Sequence, residues 1–435
     1  MDSLINLKQI LVSQIQHFEP NKNANNFAVL HGHMSGNISL LSWLKAQVIY
    51  PQFYYHFREQ NKIMATIGET KKFTNQQQAC DFSQHLPIPL VGGVQFNGDA
   101  YFILPRLVLT LENSEIFVQL TIDQTQPWEQ EKALLLQTLD RFCQMSVIQD
   151  INQSIQFYRQ SANQDTWCHW VEQALNAIEE GQFNKVVLAN DSFYRSDKAI
   201  NPYDFLAKSE KYNQGCYHFL FSQNADETFL GSTPERLYLR QQHHLQTEAL
   251  AGTAKHSDDE QENKKQANWL LNDEKNIYEN TLVAKDIADN MQPYLKDIHI
   301  GERKIKALRQ VQHLKRLIHI TLNEKVDDNN CLNAIHPTAA VAGLPKAKAL
   351  KFLQENELFE RRWYAGTLGI LSKNYAEFCV TIRSAVIKQN IIQVFAGAGI
   401  VAGSIPLLEW QEIERKASGL ISLLQQTKQR ESYVC

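Results

Sequence analysis

The stretch WYAGTLGILSKNYAEFCVTIRSAVIKQNIIQVFAGAGIV, residues 363–401, decides the fold class of this chain. Its three runs, WYAGTLGILS, EFCVTIRSAVI and IIQVFAGAGIV, are rich in β-branched and aromatic residues and are parted by Lys-Asn and Gln-Asn turns. Turns this short join antiparallel neighbours, so the spacing predicts a meander of three strands. A last helix is expected to begin near Pro406 and continue through EWQEIERKASGLISLLQQ.

Moving outward, the same alternation of signals reaches back to Trp167. WCHWVEQALNAIEEGQ reads as an amphipathic helix stopped near Gly181, and NKVVLAND as a short buried strand. CYHFLFSQ and TFLGSTPERLYLR read as strands, the second interrupted by Gly231 and Pro234. Ser257 and Glu260 form an S-x-x-E pattern that predicts a capping box opening a helical run to about Met291. Pro345 suits the start of another helix through about Glu357. In the first third, MDSLINLKQILVSQIQHFEP is an amphipathic helix without the apolar core of a signal peptide. YFILPRLVLTLEN and EIFVQLTID are strand-like, and the aromatic cluster YPQFYYHFR (50–58) reads as a strand packed on a core rather than a ligand cage. A polar stretch at 149–165 marks the boundary between an N-terminal region, 1–155, and a second region, 156–430. The class is α+β, with extensive antiparallel sheet covered by helices.

Composition narrows the function. With 435 residues, 43% of them hydrophobic, the chain can bury a large core. A net charge of -4 gives no basic excess of the kind nucleic-acid binders show. Cys80, Cys143, Cys168, Cys216, Cys331, Cys379 and Cys435 are scattered with no C-x-x-C pair, as reduced thiols in a cytoplasmic protein would be. No apolar run reaches the ~18 to 20 residues of a membrane-spanning helix. The histidines make no H-E-x-x-H, and no G-x-x-x-x-G-K-[ST] loop is present, which disfavours zinc hydrolysis and P-loop phosphoryl transfer.

Four places carry candidate chemistry, each beside a plainer reading. Glu409, Glu412 and Lys416 share one face of the last helix, as a solvated salt-bridging face also would. The preceding VFAGAGIVAGS places Gly397, Gly399 and Gly403 where a backbone can approach a ligand. Asp273, Glu274 and Glu279 form a second acidic group, and carboxylates from two helices can meet on one Mg²⁺. Lys185 opens the apolar run VVLA, either as a strand-end lysine reaching water or as a base. A lysine base working near neutrality needs its pKa lowered from ~10.4 to about 7, or roughly 4 to 5 kcal/mol of differential interaction. Glu235 follows Pro234 at a strand kink that aims it into a cleft, or else pairs with Arg236 or Arg240. As a proton donor it needs the opposite, upward shift.

Together, TEALAGTAKH, LLNDEKNIYENTLVAKDI, VQHLKRLI, IHPTAAVAGLPKAKAL, RRWYAGTLGIL, EFCVTIRSAVI and VFAGAGIVAGSIPLLEWQEIERKASGL resemble, in order, the chorismate-utilising enzymes over residues 167–424. Within them the pattern is most similar to the isochorismate synthases of menaquinone biosynthesis, with YPQFYYHF and LPRL in support. The resemblance implies two large antiparallel sheets packed as a core with helices outside. It also implies conversion of chorismate to isochorismate by water attack at C2 and loss of the C4 hydroxyl. The lysine of KVVLA, here Lys185, is then the base, and the glutamate of TPERL, here Glu235, the acid. Glu279 and Glu412 are the implied Mg²⁺ ligands, with Glu409 and Glu274 nearby. Gly252, Thr253, His313, Tyr364, Arg383, Gly397 and Lys416 are the implied substrate contacts. Arg383, Lys416 and the metal would answer the two carboxylates of chorismate.

Sibling enzymes differ at two positions. Anthranilate synthases typically carry glutamine where Lys185 stands, and aminodeoxychorismate synthases of the lysine-nucleophile type carry their lysine where Ala251 stands. Water is therefore the expected nucleophile, and no amidotransferase subunit, nucleic acid or membrane partner is expected. Asn190 departs from an arginine common after KVVLA, which puts a local salt bridge in doubt. The alternatives are a salicylate synthase, an isochorismate synthase of a siderophore pathway, and a chorismate-binding protein without turnover.

Overall fold

The structure is a computed structural model that describes residues 2–21, 26–85, 88–309 and 311–425; the expected end of the second region at 430, and Cys435, lie outside them. Among the described residues twenty strands and eleven α-helices alternate, and every strand pairing is antiparallel.

The pairings trace two large sheets. The first runs Ile155–Gln160, Lys185–Ser196, Ile391–Ile400, Ser384–Lys388, Thr228–Thr233 and Tyr217–Ser222. It continues through Gln52–His56, Lys62–Phe73, Ala100–Glu112 and Glu115–Asp123 to Phe27–Ser35. The second runs Leu90–Val94, Thr367–Ser372, Tyr375–Val380, Arg236–Gln241, His244–Lys255 and Val311–Leu322, with Leu295–Ile300 and Lys304–Ala307 on its far side. The Ala100–Glu112 strand belongs to both. Residues 100–103 pair with Leu90–Val94 and residues 107–112 with Glu115–Asp123. Pro105 lies at the changeover, opposite Glu69 at a register shift in the pairing with Lys62–Phe73.

An aromatic core lies between the sheets. Alternation along Gln52–His56 sends Phe53 and Tyr55 into it with Phe57, Tyr217, Phe219 and Trp363, while Tyr54 faces the other way. The 50–58 cluster is thus a core strand, as expected. On the outer face of the first sheet, Leu4, Leu7, Leu11 and Ile15 form the buried stripe of Asp2–His17. Gln164–Glu179, Pro202–Tyr212 and Pro406–Ile421 cover the same face. Gln76–Ser83, Glu274–Met291 and Asp328–Ile335 cover the second sheet.

Two expectations are corrected. The run from Ser257 to Met291 is two helices, Glu260–Asn272 and Glu274–Met291, capped by Asp259 and Asp273 rather than by a Ser257–Glu260 box. Asp259 Oδ1 accepts from the amides of Gln261 and Glu262, so Ser257 Oγ is left to accept from Asp259 N. Asp273 accepts from Asn276 N and opens the second helix. The segment EFCVTIRSAVI is likewise not one strand. It breaks at 381–383, where Arg383 takes φ +53°, and its halves join different sheets. That break becomes part of the site. Strand Ile155–Gln160 lies inside the polar stretch 149–165.

Candidate active site

A cleft enclosing about 880 Å³, including space open to solvent, lies where strand irregularities of both sheets meet the N-terminal ends of two helices. Apart from Lys185, every implied catalytic residue, substrate contact and Mg²⁺ ligand lines it. Lys185 stands immediately behind the wall: its side chain is 0% exposed and Nζ lies 2.9 Å from Glu279 Oε1, without the alignment of a hydrogen bond. It is no strand-end lysine reaching water. NKVVLAND forms the buried start of a twelve-residue strand, Lys185–Ser196.

Local backbone features deliver each group. Pro234 and Glu235 interrupt two strands, Thr228–Thr233 and Arg236–Gln241, so Glu235 leaves the ladder and faces the cleft. Gly252 takes φ +84° at a register shift between Ala251 and Thr253, a conformation that favours glycine. The Thr253 amide donates to Asn276 Oδ1 at 3.1 Å, so it already has a partner. At Gly399 an added Cβ would lie 2.5 Å from Glu279 Oε1 and 3.1 Å from Lys185 Cε; at Gly397 it would lie 2.8 Å from Leu188 O and 3.0 Å from Tyr364 Oη. These two glycines make room for neighbouring groups. Gly403 does not line the cleft and serves a turn at φ +83°.

The electrostatics separate acid from acceptor. Burial pushes the Glu235 carboxyl up to about 8, and the charge of Glu248 adds to this against Lys185, Lys306 and Arg58. The group is therefore largely protonated at neutral pH and can donate. Its plainer reading fails, because Arg236 pairs with Glu59 and Glu377, and Arg240 with Asp328. Burial, reinforced by Arg383 and Lys416, holds His313 well below the usual imidazole range. Neutral His313 has Nδ1 3.2 Å from Thr253 Oγ1 and 3.3 Å from Gly252 O. Burial likewise pushes the Tyr364 hydroxyl up to about 12, and its ring stacks on Phe395 at 5.0 Å.

The last helix presents carboxylates to the cleft rather than to solvent. Glu412 Oε1 lies 2.6 Å from Lys416 Nζ, which also donates to Gly397 O at 2.9 Å. Burial raises Glu412, but Lys416, Lys275 and Arg383 together hold the group below its ordinary value. Burial and then Glu412 raise Glu409, which accepts from Lys275 Nζ at 2.9 Å. Lys275 is raised, despite the opposing effect of burial, by Glu409 and then by Glu279 and Glu412. One ammonium thus sits in the field of three carboxylates from two helices, the surroundings a hard cation takes. Among the described residues no three His, Cys, Asp or Glu side chains gather as a metal site. Two carboxylates with water and substrate oxygens would suffice for a divalent ion that keeps part of its hydration.

Some residues behave otherwise than the sequence suggested. Asp273 is a helix cap, and Glu274 is exposed and does not line the cleft. Asn190 makes no ion pair; its side chain bonds the Ala162 backbone in both directions, at 2.9 and 2.8 Å. Lys275 and Asn276 line the cleft and were not singled out, although both lie in the quoted LLNDEKNIYENTLV segment. Arg58, Glu248 and Lys306, which surround Glu235, carried no local signal at all.

Residues 94–425 match the chorismate binding enzyme family. The chain is 47% identical over 432 residues to isochorismate synthase of Pasteurella multocida, covering 98% of this chain and all of that one. It is 36% identical over 390 residues to the Escherichia coli isochorismate synthase, covering 88% and 90% of the two. The structure of the menaquinone-specific isochorismate synthase from Escherichia coli superposes with a TM-score of 0.92 at 34% identity, covering 97% of this chain and all of that one. The chain belongs to the chorismate-binding enzymes.

Proposed function

We propose that this enzyme converts chorismate reversibly to isochorismate, with Lys185 as the base and Glu235 as the acid. The observation that carries the reading is the presence of a fully buried lysine and a largely protonated carboxyl around one cleft. Likeness to the isochorismate synthases named above supports the same reading.

Lys185 takes a proton from a water that adds at C2, and Glu235 gives its proton to the hydroxyl leaving C4. One water is gained and one lost, so the reaction is an isomerisation. The ring unsaturation shifts as the C–O bond at C2 forms and that at C4 breaks. Arg383 and Lys416 answer the substrate carboxylates, Arg383 with a planar fork suited to a carboxylate. Gly252, Thr253, His313, Tyr364 and Gly397 shape the walls that hold the ring. Glu279 and Glu412 would hold Mg²⁺, which supplies positive charge to bind and orient a substrate carboxylate. Ala251 leaves no amine beside C2 to compete with water.

The product would feed menaquinone biosynthesis in the cytoplasm, and residues 1–155 would complete the core around the catalytic region 156–430. Among the described residues no helix is long and apolar enough to cross a membrane. Incubation with chorismate and Mg²⁺, followed by product separation, tests the reaction. Isochorismate as the main product supports it; salicylate with pyruvate would replace it with the lyase reading, and no turnover with the binding-protein reading.

A further inference from the structure

Glu235 is aimed without help from its own side chain. Among the described residues no hydrogen bond or ion pair reaches its carboxyl, so its direction is set by the backbone that carries it. That backbone is the two-residue break between strands, where ladder hydrogen bonding is interrupted.

We propose that a buried ion pair between Arg58 and Glu248 positions Glu235 by gripping the peptide groups on both sides of it. The inference rests on the reading of Glu235 as the proton donor. On the N-terminal side, Arg58 Nη1 donates to Pro234 O at 2.5 Å, and Lys306 Nζ donates to the same oxygen at 2.7 Å. On the C-terminal side, Glu248 Oε1 accepts from Arg236 N at 2.9 Å. The two halves are locked together, because Arg58 binds Glu248 through both terminal nitrogens, at 2.6 and 2.9 Å. Their side chains are 1% and 0% exposed. Removing a rigid bidentate pair from water is costly, and such a pair contributes more to a unique arrangement than to stability. Here the arrangement it fixes is that of the acid.

The clamp also sets the field at the acid. The charged and titratable groups facing Glu235 are Glu248 from strand His244–Lys255, Lys185 from Lys185–Ser196, Lys306 from Lys304–Ala307, Arg58, and Tyr364. Glu248 opposes ionisation of Glu235, and Lys306 favours it. Arg58 also gives the region before residue 155 a direct part in the site, although it does not line the cleft. It is a positioning residue, not a catalytic one.

The test measures kcat and KM for chorismate with Mg²⁺ in Arg58→Ala, Arg58→Lys, Glu248→Gln and Lys306→Met. The Glu235 titration is followed as the infrared carboxyl band that Glu235→Gln removes. Displacement of a reacting group by about 1 Å costs on the order of 100-fold, so Arg58→Ala should lose about that much kcat with KM little changed. Arg58→Lys should recover part of it, since an ammonium can still reach Pro234 O. Glu248→Gln should move the Glu235 midpoint down and Lys306→Met should move it up, a pair of opposite shifts that general loosening does not produce. Arg58→Ala with undiminished kcat, or midpoints that stay put in both charge variants, would overturn the clamp. Should Arg58→Ala not fold, the two charge variants decide. Turnover retained in Glu235→Gln would instead overturn the acid assignment itself, whereas an inactive Glu235→Gln beside a fully active Arg58→Ala would sink the clamp alone.

Discussion

Lys185 Nζ and Glu279 Oε1 are 2.9 Å apart at the back of the cleft, and the two are not equally buried: the lysine side chain is 0% exposed and the glutamate 15%. A group assigned to proton transfer therefore touches a group assigned to cation binding. The asymmetry of burial gives the pair a direction. Glu279 can turn to water or to a cation, while Lys185 has nowhere else to go.

This predicts unequal costs of breaking the pair. Glu279→Gln leaves a buried ammonium without its anion and should destabilise the protein by about 3 kcal/mol. Lys185→Met fills a similar volume and leaves a carboxylate that reaches solvent, at a cost of about 1 kcal/mol or less. Urea unfolding of both variants measures this. Equal losses, or a larger loss in Lys185→Met, would contradict the assignment of the pair as lysine-limited.

Gly399 should tolerate no side chain even though it sits in an ordinary strand. A methyl there would meet Glu279 Oε1 at 2.5 Å and Lys185 Cε at 3.1 Å. We expect Gly399→Ala to fold, with a loss of stability of about 1 to 3 kcal/mol from overpacking. Turnover should fall at least tenfold, because Lys185 and Glu279 must both move. A fully active Gly399→Ala would show that this close approach is not needed.

Much of this was legible in the sequence because it was encoded locally. The 363–401 strands, the Trp167 helix and the core strand at 50–58 each carry their own periodicity and turns. The break at Arg383 was not legible, since Val380, Thr381 and Ile382 are good strand residues and only tertiary pairing shows that the halves diverge. The capping error has the same character: Ser257 and Asp259 both suit an N-cap, and two residues of offset decide between them. For the site, family order named the cleft residues but not what charges them. Glu248 lies thirteen positions from Glu235 and Arg58 far upstream, and nothing in either segment announces that they meet around one peptide.

The raised pKa of Glu235 makes its ionisation a cost to the fold. A carboxyl that titrates at about 8 when folded and near 4.5 when unfolded holds its proton more tightly in the native state. Its contribution is therefore fully present below pH 4.5 and is lost as pH rises toward 8. Glu235→Gln has no such loss. Its stability relative to the parent should rise from pH 5 to pH 8 and level off above, by a total on the order of 3 to 5 kcal/mol. Parallel melting of the two proteins across this range measures the difference. A difference that stays flat, or falls with pH, would mean that Glu235 titrates near its ordinary value.

Lys275 offers a sharper test of the cation site than loss of its ligands, because its ammonium occupies the field that a metal would share. It contacts Glu409 at 2.9 Å and is influenced by Glu279 and Glu412. Mg²⁺ added without substrate should raise the melting temperature, since at a hundredfold excess over Kd a ligand confined to the folded state contributes about 2.7 kcal/mol. Glu279→Ala and Glu412→Ala should each abolish most of that shift. Lys275→Met should do the reverse and bring the shift to lower Mg²⁺ concentration, because it removes a competing positive charge and leaves the carboxylates in place. If Lys275→Met weakens the Mg²⁺ response as the glutamate variants do, the lysine supports the carboxylate arrangement instead of competing for it, and the two-carboxylate site must be redrawn.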